Sequence, residues 1–202
     1  MSRPYLHERQ TEYWTSRGIE DFFLDAGFEV VTFPLSQRPE RQIPFDFVFL
    51  DTGTSKMFGI QYKPLYQNGE DHWPITEHQH KQLQEFSDWG YYGLSEMRDA
   101  GDHRVALHQS IFVKVGFPYQ ETITREDIQG KYYRWGGFFD NLKKCHVGRL
   151  VQSRKDVESA LRPLARRDIP EVDEDLIDVF VANLPRKRLL HLDGRAKTQR
   201  LT

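Results

Sequence analysis

Two segments decide the fold of this chain: IPFDFVFL at residues 43–50 and KMFGIQYK at residues 56–63. Large apolar residues occupy every second position in both, which is the period of a β-strand. The turn between them, DTGTS at residues 51–55, contains a glycine and predicts a β-hairpin. Because alternate side chains of a strand share a face, Gln61 and Lys63 lie together, and Asp46 can join them from the neighbouring strand. A carboxylate, an amide and an ammonium are therefore expected to converge.

The flanking segments predict an α/β sandwich around a mixed sheet. Before the hairpin, periodicity indicates a helix over about Glu8–Ala26 and a strand over Phe28–Leu35. After it we expect, in order, a loop over Pro64–Pro74, a helix over about Glu77–Asp88 capped by Thr76, and strands over Trp89–Leu94 and Val105–Val115, the last either continuous or broken by a turn. A mixed helical stretch over Thr124–Cys145 and helices over about Ser153–Arg167 and Val172–Asn183 follow.

Composition limits the class of protein. A chain of 202 residues suffices for one well-cored domain. It has no apolar run that could span a bilayer and no signal-peptide segment at its start, so we expect a soluble, cytoplasmic protein. Cys145 is the only cysteine, which excludes internal disulfides and zinc sites built on cysteine pairs. Its thiol is expected to be at least partly buried.

Charge is unevenly distributed along the chain. The net charge of −2 gives no general affinity for nucleic acid. Residues 1–100 nevertheless carry 9 basic and 16 acidic side chains, whereas residues 101–202 carry 19 basic and 14 acidic ones. The tail from Pro185 to Arg200 has six basic residues against Asp193 alone. That tail is either a solvated end or an arm that reaches a phosphate backbone.

The three polar residues of the hairpin suit metal-assisted phosphodiester cleavage. Asp46 would hold a divalent cation, Gln61 would lend a side-chain oxygen, and the backbone carbonyl of Tyr62 would complete the shell with waters. Such hard oxygen ligands favour magnesium, with manganese possible. Lys63 would orient or deprotonate the attacking water and stabilise charge on the phosphorane.

These residues resemble a known family. Pro44-Phe45-Asp46, one hairpin ahead of Gln61-Tyr62-Lys63, is similar to the PD-(D/E)XK or restriction-endonuclease-like nuclease superfamily. The resemblance is to its variant with Gln in place of an acid, as in Mrr-type nucleases. Two further features resemble the same family: the helix exit at Ala26-Gly27-Phe28, which is also similar to archaeal Holliday-junction resolvases, and the helix with Gln79 and Gln82 followed by a tyrosine-rich strand.

The resemblance covers residues 16–95 and implies a three-layer sandwich with a mixed central sheet flanked by helices. It implies a nuclease-like core over residues 1–150, with the helices and basic tail of 151–202 packed on that core or extending from it. The family also places a Glu on the first helix, facing the metal. Glu20 matches best in local context and is expected to be a catalytic and metal-binding residue; Glu12 is the fallback. The sequence departs from the pattern at Gln61 and at Phe45, which separates the proline from Asp46.

Other residues are weaker candidates. Arg38 and Arg41, in the loop before Asp46, could touch a phosphate or be solvated. Gln82 could bind the substrate backbone or cap the site. His78 and His80 are expected on a helix surface, because residues two apart on a helix do not face each other. Aromatic and basic residues alternate at 132–135 as in single-strand binding surfaces, although core packing of the rings is favoured.

The expected function is magnesium-dependent hydrolysis of phosphodiester bonds, in DNA first and RNA second. A catalytically inactive nuclease-fold module, acting as a nucleic-acid-binding or assembly subunit, is the alternative, because Gln61 removes negative charge from the metal site. The balanced charge suggests that the nucleic-acid surface is local, or is completed by a protein partner or a second copy of the chain. No membrane partner is expected.

Overall fold

The computed structural model describes residues 3–35, 44–68, 70–165, 177–182 and 184. Its strands are β1 (Arg3–Pro4), β2 (Val30–Pro34), β3 (Phe47–Asp51), β4 (Lys56–Lys63), β5 (Tyr66–Asn68), β6 (Glu70–Pro74), β7 (Gly90–Ser95), β8 (Ser110–Lys114), β9 (Thr122–Thr124), β10 (Tyr132–Arg134) and β11 (Arg149–Leu150). Its helices are α1 (Glu8–Asp25), α2 (Glu77–Gln84), α3 (Trp135–Lys143) and α4 (Arg154–Ala165), with a 3₁₀ helix over Ala100–Val105. Residues 177–182 are also helical.

A mixed sheet forms the centre of the protein, with strand order β10-β8-β7-β4-β3-β2 and β11 beside β4. β2, β3 and β4 form an antiparallel meander, so the predicted hairpin is confirmed. β7 runs parallel to β4, and β8 and β10 continue antiparallel. The connection from β4 to β7 contains α2, as parallel neighbours require a long crossover. The predicted α/β class with a mixed sheet is confirmed.

Helices cover both faces of this sheet, because side chains alternate between two core clusters. One cluster joins α1 and α3 to one face and includes Ile19, Phe23, Phe49, Phe58, Ile60, Tyr91, Phe112 and Phe138. The other joins α2 and α4 to the opposite face and includes Val48, Leu50, Met57, Leu83, Tyr92, Val113 and Val157. The apolar residues of β3 and β4 thus divide between the two clusters with the strand period of two.

Phe45, the neighbour of Asp46, is fixed in the α2-side core. Its ring stacks on Trp89 with centroids 4.8 Å apart and meets Phe86 edge-on at 5.1 Å. It lies over Gly59 of β4, where an added Cβ would come within 2.5 Å of the ring. Only glycine leaves room for this approach, so the backbone leading into Asp46 is held by close packing.

A second, smaller sheet overturns one prediction. Pro64–Pro74 was expected to be a loop, but β5 and β6 lie within it and form a sheet of order β1-β5-β6-β9. The indole of Trp73 donates to the carbonyl of Ser95 over 2.6 Å and attaches this sheet to the end of β7. The outer strands β1 and β9 lie far away in sequence, so a local pattern gives no sign of their pairing.

Two segments and one side chain also differ, wholly or in part, from prediction. The stretch Val105–Val115 is broken by a turn over residues 106–109, as the second alternative had it, and its strand is shorter: Val105 ends the 3₁₀ helix and β8 begins at Ser110. The stretch Thr124–Cys145 is not mainly helical, since it contains the end of β9 and all of β10 before α3. Cys145 is exposed, against expectation, and its φ is 64°.

The C-terminal region follows the prediction as far as it is described. α4 matches the helix expected over Ser153–Arg167, and the helical residues 177–182 fall within the helix expected over Val172–Asn183. Val157 and Phe180 both belong to the α2-side core. The basic tail lies outside the described residues. No helix in the described part of the chain is both long and apolar enough to cross a membrane.

Candidate active site

The hairpin of β3 and β4 places a carboxylate beside an amide. Phe47 pairs with Ile60 in an antiparallel register. Asp46, which precedes Phe47, therefore lies opposite Gln61, which follows Ile60. The backbone N–H of Asp46 donates to the carbonyl of Ile60 over 3.0 Å, and its carbonyl accepts from the N–H of Leu35 over 2.7 Å. Asp46 is thereby fixed on both sides by backbone hydrogen bonds at the end of the meander.

One oxygen of Asp46 accepts two hydrogen bonds. Oδ2 accepts from Nε2 of Gln61 over 2.7 Å and from the backbone N–H of Tyr62 over 2.6 Å. Nε2 of Gln61 also donates to the carbonyl of Tyr62 over 3.4 Å. Both Asp46 and Gln61 are buried. The amide therefore serves as a donor to two oxygens that were expected to surround a cation.

The surroundings of Asp46 disfavour its charged form. Burial raises the pKa of Asp46 well above its ordinary value of 3.8, and the carboxylate of Glu12 raises it further. The charge of Lys63 and the hydrogen bond from the N–H of Tyr62 act in the opposite direction. A second carboxylate near a buried acid disfavours the charged form of that acid. A bound cation would relieve this repulsion.

Lys63 brings the ammonium of the site. Its Nζ lies 3.2 Å from Oε1 of Glu8, the first residue of α1. The side chain of Lys63 is only 10% exposed, whereas that of Glu8 is 40% exposed. An ammonium this deeply buried requires a counter-ion, and Glu8 supplies one.

Two buried polar contacts fix α1 against the sheet. Ser16 donates to the phenol oxygen of Tyr62 over 3.0 Å, and the hydroxyls of Thr15 and Ser110 lie 3.2 Å apart. The side chain of Tyr62 is fully buried, and burial raises its pKa. These contacts set the rotation of α1 and bring the first two turns of the helix to Asp46.

The position of α1 against the sheet favours Glu12 over Glu20 as the acid that acts on Asp46. Glu12 is 7% exposed and is the side chain that most raises the pKa of Asp46. Glu20 lies eight residues further along α1, a rise of about 12 Å. Its carboxylate pairs with Arg17 at 3.5 Å and is 37% exposed. Glu12, the fallback, thus acts electrostatically on Asp46, whereas Glu20, the first choice from the sequence, pairs with Arg17.

Of the three residues predicted to touch nucleic acid, the structure describes only Gln82. Arg38 and Arg41 lie outside the described residues. Gln82 is half-buried on α2, where its Nε2 lies 2.8 Å from Nε2 of His78. Its predicted role stays a prediction.

His80 is not on the helix surface as expected. It is fully buried, with Nδ1 at 3.1 Å from the hydroxyl of Tyr92 and Nε2 at 3.0 Å from the carbonyl of Phe117. Burial lowers the pKa of His80 below 6.5. The residue therefore ties α2 to β7 and to the segment after β8. At 132–135, core packing is borne out for Trp135, which is buried among aromatic rings.

A cavity of about 660 Å³ lies elsewhere, at the end of β8. Its lining combines apolar residues such as Val115 and Ile123 with Lys114 and Lys131. None of the hairpin's polar residues lines it. The candidate active site is therefore the group around Asp46 and not this cavity, because buried charges and a perturbed pKa coincide at Asp46.

The oxygen atoms around Asp46 are of the chemical kind that magnesium and manganese prefer. They belong to two carboxylates, Asp46 and Glu12, with the amide oxygen of Gln61 and the carbonyl of Tyr62 as neutral oxygens. Magnesium is commonly held by one or two carboxylates with water in the remaining positions. Gln61 would have to present its oxygen rather than its nitrogen. Within the described residues no three His, Cys, Asp or Glu side chains form a metal-binding group.

Sequence reasoning missed Glu8 and ranked Glu12 second. The spacing of Glu8, Glu12 and Ser16, each four residues apart, places them along one side of α1. Buried Ile19 and Phe23 extend this side towards the helix end. The sequence signal for these acids was therefore one face of α1 that is acidic near the start of the helix and apolar near its end.

The chain matches no protein-family model, and neither a curated protein nor a solved structure matches it significantly.

Proposed function

We propose that this protein is a metal-dependent nuclease that hydrolyses phosphodiester bonds, with DNA as the first substrate to test. One observation carries the proposal: a buried carboxylate, Asp46, lies with Glu12, Gln61 and Lys63 in one cluster. Two acids, two neutral oxygens and one ammonium are the groups that metal-assisted phosphodiester cleavage uses.

The order of elements supports this proposal. A helix, a three-stranded meander, a second helix and a strand parallel to the third strand of the meander follow one another as α1, β2–β4, α2 and β7. This is the order in which the resemblance to restriction-endonuclease-like nucleases places them. We therefore propose that fold for the core, with Asp46, Gln61 and Lys63 on the hairpin that carries the chemistry.

Each residue of the candidate site has a proposed role. Asp46 and Glu12 would hold the cation through carboxylate oxygens, and Gln61 and the carbonyl of Tyr62 would add neutral oxygens. The cation, when bound, acts as a Lewis acid towards a phosphate oxygen. The ammonium of Lys63 would orient the attacking water and stabilise the negative charge that develops on the phosphate.

A cleavage assay tests this function. The purified full chain is incubated with linear, circular, single-stranded and branched DNA, and with RNA, in magnesium, manganese or chelator. Cleavage in magnesium that disappears in chelator and in Lys63→Ala is the expected result. Lys81→Ala is the matched control, since Lys81 is an exposed lysine paired with Glu77 at 2.7 Å on α2. Equal cleavage by wild type and Lys63→Ala would exclude the mechanism.

A catalytically inactive nuclease-fold module is the second candidate, and one contact favours it. The hydrogen bonds from Gln61 and from the N–H of Tyr62 satisfy Oδ2 of Asp46 without a cation. Calorimetric titration of magnesium into wild type and Asp46→Asn separates the two candidates. An active enzyme has a site that Asp46→Asn removes, whereas an inactive module has none.

A further inference from the structure

The ammonium of Lys63 has an exposed partner. Glu8 lies 3.2 Å from Nζ and is 40% exposed, while Lys63 itself is 10% exposed. Glu12, the other acid of α1 at the site, is buried. A molecule that approaches from solvent therefore reaches the carboxylate of Glu8 before it reaches the ammonium.

The pair lies at the start of a helix that is otherwise well capped. His7 and Gln10 form a capping box, in which Nδ1 of His7 accepts from the N–H of Arg9 and the N–H of His7 donates to Gln10. Glu8 is therefore not required to cap α1. Its remaining helix contribution is the ordinary one of a first-turn acid near the positive end of the helix dipole.

The charge of Glu8 also acts beyond Lys63. Its carboxylate is among the groups that raise the pKa of Asp46, and it raises the pKa of Tyr66 on β5 after burial, the larger cause. Negative potential from Glu8 thus extends from the hairpin to the small sheet. A phosphodiester, which is itself an anion, is repelled by this potential.

We infer that Glu8 is a displaceable counter-ion of Lys63, which holds the ammonium in the substrate-free protein and yields it to a substrate phosphate. The inference rests on the proposed function, in which Lys63 meets that phosphate. The ion pair between Lys63 and Glu8 is replaced by one between Lys63 and the phosphate, and no covalent bond forms or breaks. Glu8 acts through Lys63, so it is a positioning residue that weakens substrate binding.

The test is binding of fluorescein-labelled double-stranded DNA in chelator, where the proposed cleavage cannot proceed. Glu8→Gln is expected to bind about fivefold more tightly than wild type, the upper range for removal of one half-exposed ion pair. In the Lys63→Ala background the same substitution should tighten binding by a smaller factor, because only the direct repulsion between Glu8 and the phosphate is then removed. In magnesium, Glu8→Gln is expected to lower KM by a similar factor and to leave kcat within about twofold of wild type.

Glu77→Gln is the matched control, because Glu77 is also a first-turn acid paired with a lysine, Lys81. It should alter neither the dissociation constant nor KM. Glu8→Asp retains the first-turn charge but shortens the reach to Lys63, and replaces Glu8→Gln if that variant melts at a lower temperature. A dissociation constant and a KM that both equal the wild-type values in Glu8→Gln and Glu8→Asp overturn the inference. Failure of wild type to cleave any nucleic acid in magnesium or manganese instead overturns the proposed function.

Discussion

The side-chain amide of Gln61 donates a hydrogen bond of 2.7 Å to the carboxylate of Asp46. A nitrogen thus occupies the side of Asp46 at which the metal hypothesis requires a cation. The amide supplies a partial positive charge to a buried acid, and this contact compensates in part for the desolvation of Asp46. The same residue that would ligate a metal therefore also stabilises the metal-free protein.

Gln61→Glu should make the protein depend on metal for stability. The substitution replaces the donor by a second carboxylate against Asp46, and like charges in a buried site repel each other. We expect a lower melting temperature in chelator and magnesium binding about tenfold tighter, because ligand charge sets the affinity of oxygen sites. Thermal melts with and without magnesium, together with calorimetry, measure both changes. Magnesium binding no tighter than in wild type would argue against Gln61 as a ligand position.

Glu12→Gln and Glu20→Gln form a matched pair on one helix. Loss of the Glu12 carboxylate should reduce magnesium-dependent cleavage about 10- to 100-fold, the range seen when groups supporting a metal site are removed. Loss of the Glu20 carboxylate should leave the rate within about twofold, because Glu20 pairs with Arg17 at 3.5 Å instead. Initial cleavage rates at saturating magnesium compare the two. The reverse ranking would restore Glu20 as the helix acid.

Asp46 should make the metal-free protein less stable as pH rises. Its folded-state pKa lies well above 3.8, so between the two values the folded protein holds a proton that the unfolded chain has lost. Stability then falls with increasing pH across that window. Asp46→Asn removes this contribution and should flatten the dependence. Urea denaturation in chelator from acidic to neutral pH measures it, and an unchanged slope in Asp46→Asn would count against the raised pKa.

His80 should make the protein less stable as pH falls, opposite to the effect of Asp46. Burial lowers its folded-state pKa below 6.5, so stability is lost as pH falls below about that value, where the unfolded chain takes up the proton more readily. His80→Phe retains a ring but leaves the hydroxyl of Tyr92 and the carbonyl of Phe117 without this partner. It should cost about 1–3 kcal/mol at neutral pH and reduce the acid sensitivity.

His78→Ala on the same helix is the control for His80, since His78 is exposed and its replacement should cost no more than about 0.5 kcal/mol. Equilibrium urea unfolding gives both free energies. Equal losses in the two variants would show that the buried hydrogen bonds of His80 contribute little.

Gly59→Ala should disturb the site through the core. The new Cβ would lie 2.5 Å from the ring of Phe45, next to Asp46. We expect a loss of about 1–3 kcal/mol from overpacking and reduced cleavage. Gly136→Ala on α3, where an added Cβ meets nothing within 4 Å, should instead be neutral or stabilise by up to about 1 kcal/mol. Denaturation midpoints of the two variants test the contrast.

The hairpin could be predicted because its information is local. Period-two alternation and a glycine turn determine the pairing of β3 with β4, and that pairing alone brings Asp46 to Gln61. The small sheet could not be predicted in the same way. β5 pairs with Arg3–Pro4 and β6 with Thr122–Thr124, and nothing in the sequence of either strand specifies a partner so distant.

Predicting which acid of α1 acts on Asp46 requires information that is not local. α1 itself was predicted from its periodicity, but its position against the sheet is set by contacts such as Ser16 to Tyr62. A shift of one turn along the axis is about 5.4 Å, enough to exchange one acid for another. Helical periodicity specifies which face is buried and leaves the axial position of that face open.

The second half of β4 is a central strand because β7 pairs with it in parallel, from Gly59 opposite Gly90 to Lys63 opposite Leu94. A fragment of the chain that ends before Gly90 would contain Glu8, Glu12, Asp46, Gln61 and Lys63. It would nevertheless leave one side of the strand that carries Gln61 and Lys63 without its β7 partner, an open edge that can pair with other chains. During synthesis the chemical groups of the candidate site are therefore complete well before the strand that protects them has been made.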